Sequence, residues 1–207
     1  MAAANQHPLQ ALAQWLPPGS FEEVAAYLEK YKVHLTISRQ RNSILGDYRN
    51  AVHGKNHRIT INSNLNKYAF LITLLHELAH LLAFEQYGNR IAPHGKEWKN
   101  LYASLLAFFL HKKIFPGDIT SCLVQSLNNP AASSCSETAL TRVLNKYEER
   151  SAGHYMVEEL ELGALFILKD GRIFKRDEKL RKRYRCTEVK TGKQYLFSPV
   201  YEVMKHE

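Results

Sequence analysis

The 207-residue sequence predicts an α+β fold with two parts: a small sheet set against two long helices, then a short antiparallel β module. Three observations carry this. Early short runs such as "KVHLTIS" alternate apolar and polar residues, as half-buried strands do. The middle of the chain holds two long segments with apolar residues at helical spacing. From about Gly153 the pattern changes to two runs that each fold around a Gly turn. Residues 1–150 are therefore expected to form the main domain with a helical extension, and 151–207 a small basic β module.

The elements follow in order. "PPGSFEEVAAYLEKY" reads as a helix, with Ser20 at its start and Glu23 placed to complete a capping box. "KVHLTIS" puts Val33, Leu35 and Ile37 on one face of a strand. "SILGDYRN" and "HRITIN" read as two more strands joined by a loop from His53 to Asn56. A helix is expected from about Lys67 to Tyr87, stopped by Gly88-Asn89. A second starts near His94, with Trp98, Leu101, Tyr102, Leu105, Leu106 and Phe109 on its apolar face, and "FPGD" ends it. "SLNNPAASSC" reads as a polar loop and "SETALTRVLNKYEER" as a helix. "GALFILKDGRIFKR" and "RYRCTEVKTGKQYLFS" read as hairpins turning at Asp170-Gly171 and Thr191-Gly192.

Composition narrows the class. Hydrophobic residues make up 45% of the chain, enough for a real core. Cys122, Cys135 and Cys186 are few, odd in number and form no CxxC pair, which argues against a disulfide framework and for a reducing, cytoplasmic setting. The N-terminal stretch has no basic region followed by an apolar core, so no signal peptide is expected. No uninterrupted apolar run reaches the ~18 residues of a membrane span, so no membrane partner is expected either. The net charge is +8, and its placement is uneven. Lys169 to Lys193 holds 11 Lys/Arg against 4 Asp/Glu, a net of +7, whereas the remainder holds 17 against 16, a net of +1. Such asymmetry bears on partners rather than on fold.

The functional signal lies in "TLLHELAHLL". Thr73, His76, Glu77 and His80 stand at i, i+3, i+4 and i+7 of an otherwise apolar helix, so they form one polar stripe. Two imidazoles one turn apart can reach one tetrahedral ion, and burying them without a partner costs about 1–3 kcal/mol each. This is an H-E-x-x-H arrangement, in which Glu77 stands beside the metal as a base for water activation by Zn2+. A catalytic zinc needs a third protein ligand. Ala83 and Gln86 occupy the positions where a metzincin would have Gly and His, which excludes that class. His94, in a turn marked by Pro93 and Gly95, is favoured as the third ligand, with Glu97 the alternative.

"HELAH" followed by "HGKEW", after "ITIN" and a helix entry "FLITLL", resembles the SprT-like zinc metalloprotease domain family, which includes the Spartan DNA–protein crosslink proteases and bacterial SprT proteins. The resemblance covers about Ser20 to Leu110. It implies a zincin-like fold, zinc on His76, His80 and His94, Glu77 as general base, and protein substrates bound near or crosslinked to DNA. One departure is plain: many relatives carry a Cys-rich zinc ribbon after the protease domain, whereas here a basic β module follows.

The remaining residues receive plainer readings. His34, His53, His57 and His111 read as surface or loop histidines. Tyr48 or Tyr87 is available as a donor to an oxyanion, and the sequence selects neither. Cys135 reads as a buried or loop thiol. In the basic segment, Lys179, Arg181, Lys182, Arg183 and Arg185 are the expected contacts to nucleic acid phosphates, with Tyr184 and Tyr195 placed to stack on bases. The expected function is a zinc metallopeptidase acting on proteins, including DNA-associated ones; the alternative is a non-catalytic, zinc-stabilised nucleic-acid-binding protein.

Overall fold

A computed structural model describes residues 9–41, 43–52, 54–135, 137–148 and 152–206. The chain divides into two compact units, Met1–Tyr147 and Glu148–Glu207. The expected boundary at 150/151 and the loop residue His53 lie outside the described residues.

In the first unit, helix α1 (Phe21–Lys30) buries Val24, Ala25 and Leu28. The expected capping box does not form. Ser20 Oγ donates instead to Pro17 O at 2.7 Å, because the preceding turn offers a nearer acceptor, and the Ser20 side chain makes no cap bond. Strands β1 (His34–Ser38), β2 (Gly46–Arg49) and β3 (Arg58–Asn62) form a sheet in the order β1-β3-β2, with β1 parallel and β2 antiparallel to β3. Strand β2 is thus an edge, unpaired on its outer side among the described residues. Ile59 and Ile61 of β3 are fully buried, and their partners across the ladder are Tyr48 and Gly46.

Helix α2 (Lys67–Tyr87) packs on β2 and β3 and against α3 (Lys96–His111). Asn66 caps it, its side chain accepting from the Tyr68 and Ala69 N–H groups at 3.1 and 2.9 Å. Every residue from Ala69 to Ala79 is buried, so α2 has no solvent face along that length. By length and composition α2 would also pass as a membrane span, but it is the core helix of this unit. Helix α3 buries Trp98, Tyr102, Leu105, Leu106 and Phe109, close to the expected stripe. Two further helices complete the unit: α4 (Gly117–Ser126), which the sequence reading did not anticipate, and α5 (Thr138–Leu144). Helix α3 ends at His111, before "FPGD", with Lys113 in the left-handed region at φ 55°; "FPGD" instead starts α4, with Pro116 as its N-cap, and only Ile119, Leu123 and Ser126 of α4 are buried, one of them polar, which leaves a weak apolar stripe in the sequence.

The second unit is a six-stranded antiparallel sheet in the order β4-β9-β5-β6-β7-β8. Its strands are β4 (His154–Met156), β5 (Leu165–Ile167), β6 (Ile173–Leu180), β7 (Arg183–Glu188), β8 (Gln194–Phe197) and β9 (Glu202–Lys205). Both expected hairpins form, each with a glycine at positive φ, Gly171 at 83° and Gly192 at 69°. Strands β4 and β9 are too short to read from periodicity. The core is Val157, Leu160, Phe166, Phe174, Tyr184, Cys186 and Val203.

Candidate metal centre

Helix α2 supplies His76, Glu77 and His80 to one face, and a turn supplies His94. In that turn the Gly95 N–H donates to Ala92 O at 2.9 Å, and His94 takes a left-handed conformation, φ 58°. A non-glycine residue held there is strained by about 1 kcal/mol or more and persists where surrounding structure enforces it. The result is a convergence of ring nitrogens. His94 Nε2 lies 3.0 Å from His80 Nε2 and 3.2 Å from His76 Nε2. Ligand nitrogens around a tetrahedral ion with bonds of ~2.05 Å stand about 3.3 Å apart, so the spacing suits a single ion. Among the described residues, His76, His80 and His94 form the group whose possible ligand atoms lie within 4.8 Å of one another. Glu97, the alternative ligand, is in the first turn of α3 and outside that group.

The donor set is what a metal requires: neutral imidazoles. Burial pushes the His76 ring down to about 3, helped by His80 and then His94. Burial and His94 push His80 down to about 4, and His94 is lowered by burial and Lys99. His76 is only 4% exposed, and its Nδ1 has no hydrogen-bond partner. An orphaned buried donor costs about 1–3 kcal/mol, which makes this imidazole a poor choice for packing alone. Behind the histidines stands an aromatic wall. The Trp98 ring lies 4.6 Å from His76 and from His94 and 5.1 Å from His80, and Tyr102 lies 5.3 Å from His76. These contacts exclude water from the far side and restrict ring rotation.

Glu77 is 4% exposed and lies under β2. A Cβ on Gly46 would stand 2.9 Å from Glu77 Oε1 and 2.8 Å from Thr73 Cγ2, so the strand approaches this closely because residue 46 has no side chain. Burial raises the Glu77 carboxyl to about 8; Asp47 adds to the rise and Arg41 opposes it. Arg41 is itself held by Asp47, by Asn62 Oδ1 at 2.8 Å and by Thr60 O at 3.2 Å. Asn62 in turn donates to Ile44 O at 2.8 Å, tying the approach to β2 onto β3.

A cleft of about 540 Å³ opens over these groups. One wall is the stretch from Ile44 to Tyr48, the floor is His76, Glu77, His80 and His94, and the far wall is Ala132 to Ser134. A second hollow of about 590 Å³ lies beyond Tyr48 and His80, with Phe84, Ile91 and Trp98 in its lining. Of the two tyrosines left open by the sequence, Tyr48 lines both hollows and Tyr87 neither.

Four features escaped the sequence reading: Gly46, the Arg41–Asp47–Asn62 lattice, the Ala132–Ser134 wall and the burial of His57. Only Gly46 left a trace, as a lone glycine inside a strand pattern, which marks a bulge or a close approach. His57, expected on the surface or in an open loop, is 6% exposed because its ring is enclosed by Tyr48, Phe84 and Glu85.

In the second unit, Glu178 to Arg183 are all exposed and form the tip of the β6–β7 hairpin. Lys179, Arg181 and Lys182 stand there, and Arg183 Nη1 donates to Leu196 O at 3.4 Å. Arg185 pairs with Glu178. Tyr184 is not placed to stack on a base: it is 7% exposed, beneath the Arg176 guanidinium at 4.4 Å, because strand alternation turns it into the core. Tyr195 remains partly exposed.

Over 42 residues the chain is 52% identical to proteins named Protein SprT from Erwinia tasmaniensis, Escherichia coli and Escherichia fergusonii, a stretch that is 20% of this chain. That stretch spans about a quarter of those relatives, 24% of the first and 25% of the others. No solved structure matches the chain. The SprT-like family model matches residues 11–114, a segment that contains all three histidines and Glu77, and the chain belongs to the SprT-like family.

Proposed function

We propose that this chain is a zinc-dependent metallopeptidase that hydrolyses peptide bonds of proteins. The observation that carries the reading is the convergence of three neutral imidazole nitrogens beside the Glu77 carboxyl at the base of an open cleft. Zinc bound by His76, His80 and His94 would supply a Lewis acid and a water whose pKa falls toward ~7. Glu77, as carboxylate, takes the proton of the attacking water and passes it to the departing amine nitrogen. Strand β2 orients the substrate: its free edge borders the cleft, so an extended polypeptide adds to it through main-chain hydrogen bonds. Gly46 leaves room between that strand and the Glu77 carboxyl. Main-chain recognition of this kind favours loosely structured protein segments over a fixed sequence.

The exposed cations at the β6–β7 tip support DNA-associated proteins as the substrate class, with nucleic acid held through its phosphates and without base reading. Cys122, Cys135 and Cys186 form no disulfide among the described residues, which fits a reducing, cytoplasmic location. The same cationic tip also favours the second reading, a non-catalytic zinc-stabilised nucleic-acid-binding protein. A cleavage assay with zinc-loaded protein, with and without DNA, separates them. Wild type should cut an unfolded or DNA-bound protein, and Glu77→Gln should hold zinc without cutting. Cleavage by Glu77→Gln at the wild-type rate would sink the assigned role. An inactive wild type that binds DNA would favour the second reading.

A further inference from the structure

His57 is neither a candidate ligand nor a catalytic group, yet its ring is enclosed and fully engaged. Its own carbonyl accepts the His34 N–H at 2.8 Å. Around the ring are three polar neighbours. The Ala51 N–H, which can only donate, lies 3.3 Å from Nδ1. Glu85 Oε1, a carboxylate oxygen that accepts, lies 3.2 Å from Nε2. These two neighbours set the neutral ring: the proton sits on Nε2 and the lone pair on Nδ1. Tyr48 Oη, 2.8 Å from Nδ1, must then be the donor. The chain of bonds runs one way, from the Tyr48 O–H to His57 and from His57 Nε2–H to Glu85.

The far end of this chain reaches the metal centre. The Tyr48 ring lies parallel to His80, with centroids 6.5 Å apart and planes within 5°. Phe84 packs edge-on against His57 at 5.9 Å. Glu85 and His80 are on the same helix, α2, so the residue that fixes the His57 tautomer and the proposed ligand move together. An imidazole ligand is free to turn about its side-chain torsions unless neighbours hold its plane, and outer partners of ligands change metal affinity or activity by about 10–100-fold.

We propose that His57 is a positioning residue for the metal centre: anchored on Glu85, it accepts the hydrogen bond of the Tyr48 phenol and so holds the Tyr48 ring flat beside His80, as the partition between the two hollows. The inference rests on His80 being a metal ligand and not on peptidase activity. It also commits the Tyr48 proton to His57, so in this state Tyr48 is a wall of the cleft and not a donor into it.

The test uses the full chain loaded with zinc, and in parallel with cobalt(II). The variants are His57→Leu, Tyr48→Phe, their combination, and His57→Gln, whose amide oxygen can accept the phenol. Zinc release to a chelator should be about tenfold faster in either single variant, no faster in the double, and close to wild type in His57→Gln. The cobalt absorption bands should shift in both single variants and return in His57→Gln. Nitrogen NMR of the wild type should show His57 protonated on Nε2. Protonation on Nδ1, additive effects in the double variant, or wild-type release in Tyr48→Phe would each overturn the proposal. If His57→Leu fails to fold, Tyr48→Phe and the wild-type tautomer still decide it. None of these measurements reads cleavage, so a protein that holds zinc but cuts nothing would defeat the proposed function and leave this inference standing.

Discussion

On α2, three polar side chains are packed away from water with few partners; on β6, β7 and the turn before them, cations that are exposed or half-buried find acids or a ring close by. Thr73, His76 and Glu77 are buried, and two of them carry orphaned atoms, Thr73 Oγ1 and His76 Nδ1. In the basic segment Arg172 pairs with Asp170, Lys175 with Asp177 and Arg185 with Glu178, while Arg176 lies over the Tyr184 ring. The difference is one of solvent. A buried polar group that no neighbour satisfies is expensive, so its retention points to chemistry. An exposed cation costs little, and an adjacent carboxylate cancels most of its field beyond a Debye length. The +7 of the segment is therefore a poor measure of what a partner meets; the cations crowded together in water are those of the tip, Lys179, Arg181 and Lys182.

Removing one buried ligand should abolish the centre: His76→Ala is expected to lose stoichiometric zinc, by elemental analysis, and activity by more than about 100-fold, whereas Glu97→Ala should keep both. Metal loss in Glu97→Ala with zinc retained in His94→Ala would reassign the third ligand. Next, Gly46→Val should retain zinc but lower kcat about 10–100-fold, because the new side chain meets Thr73 and Glu77. Unchanged turnover there would mean that β2 does not rest on the Glu77 carboxyl.

A third prediction isolates the solvent effect on Glu77 in metal-free protein. Its folded-state pKa is raised to about 8, so the protonated carboxyl is the form the fold prefers. The wild type should lose stability as pH rises from the ordinary carboxylate range through 8, by a few kcal/mol at most at about 1.4 per unit. Glu77→Gln cannot ionise and should lack this slope in chemical denaturation series at pH 5 and 8. Parallel slopes in the two proteins would show that Glu77 is better solvated than its burial implies. The smallest effect belongs to the basic tip. Charge reversal at Lys179, Arg181 and Lys182 should weaken binding to single-stranded DNA several-fold and flatten its salt dependence. Reversing the already paired Arg172 and Lys175 should do less. An anisotropy titration at two salt concentrations reads both, and equal losses from the two sets would mean that total charge, not the unpaired tip, governs binding.

Sequence alone was enough for the features written in local periodicity. The span of α2, from Lys67 to Tyr87, its stop at Gly88, the apolar face of α3 and both hairpins of the second unit were legible because each repeats a short-range pattern. So were His76, Glu77 and His80, since one helical turn places them on one face. The choice of His94 over Glu97 in the cluster, Gly46 under the shadow of Glu77, the Ala132–Ser134 wall and the enclosed His57 were decided by tertiary structure. Each depends on residues far apart in sequence being brought within a few ångströms, and that distance is set by how α2, α3 and the small sheet pack, not by any pattern along the chain. Even Ser20 follows this rule at short range: the sequence offered a helix cap, and the turn before it supplied a better acceptor in Pro17 O.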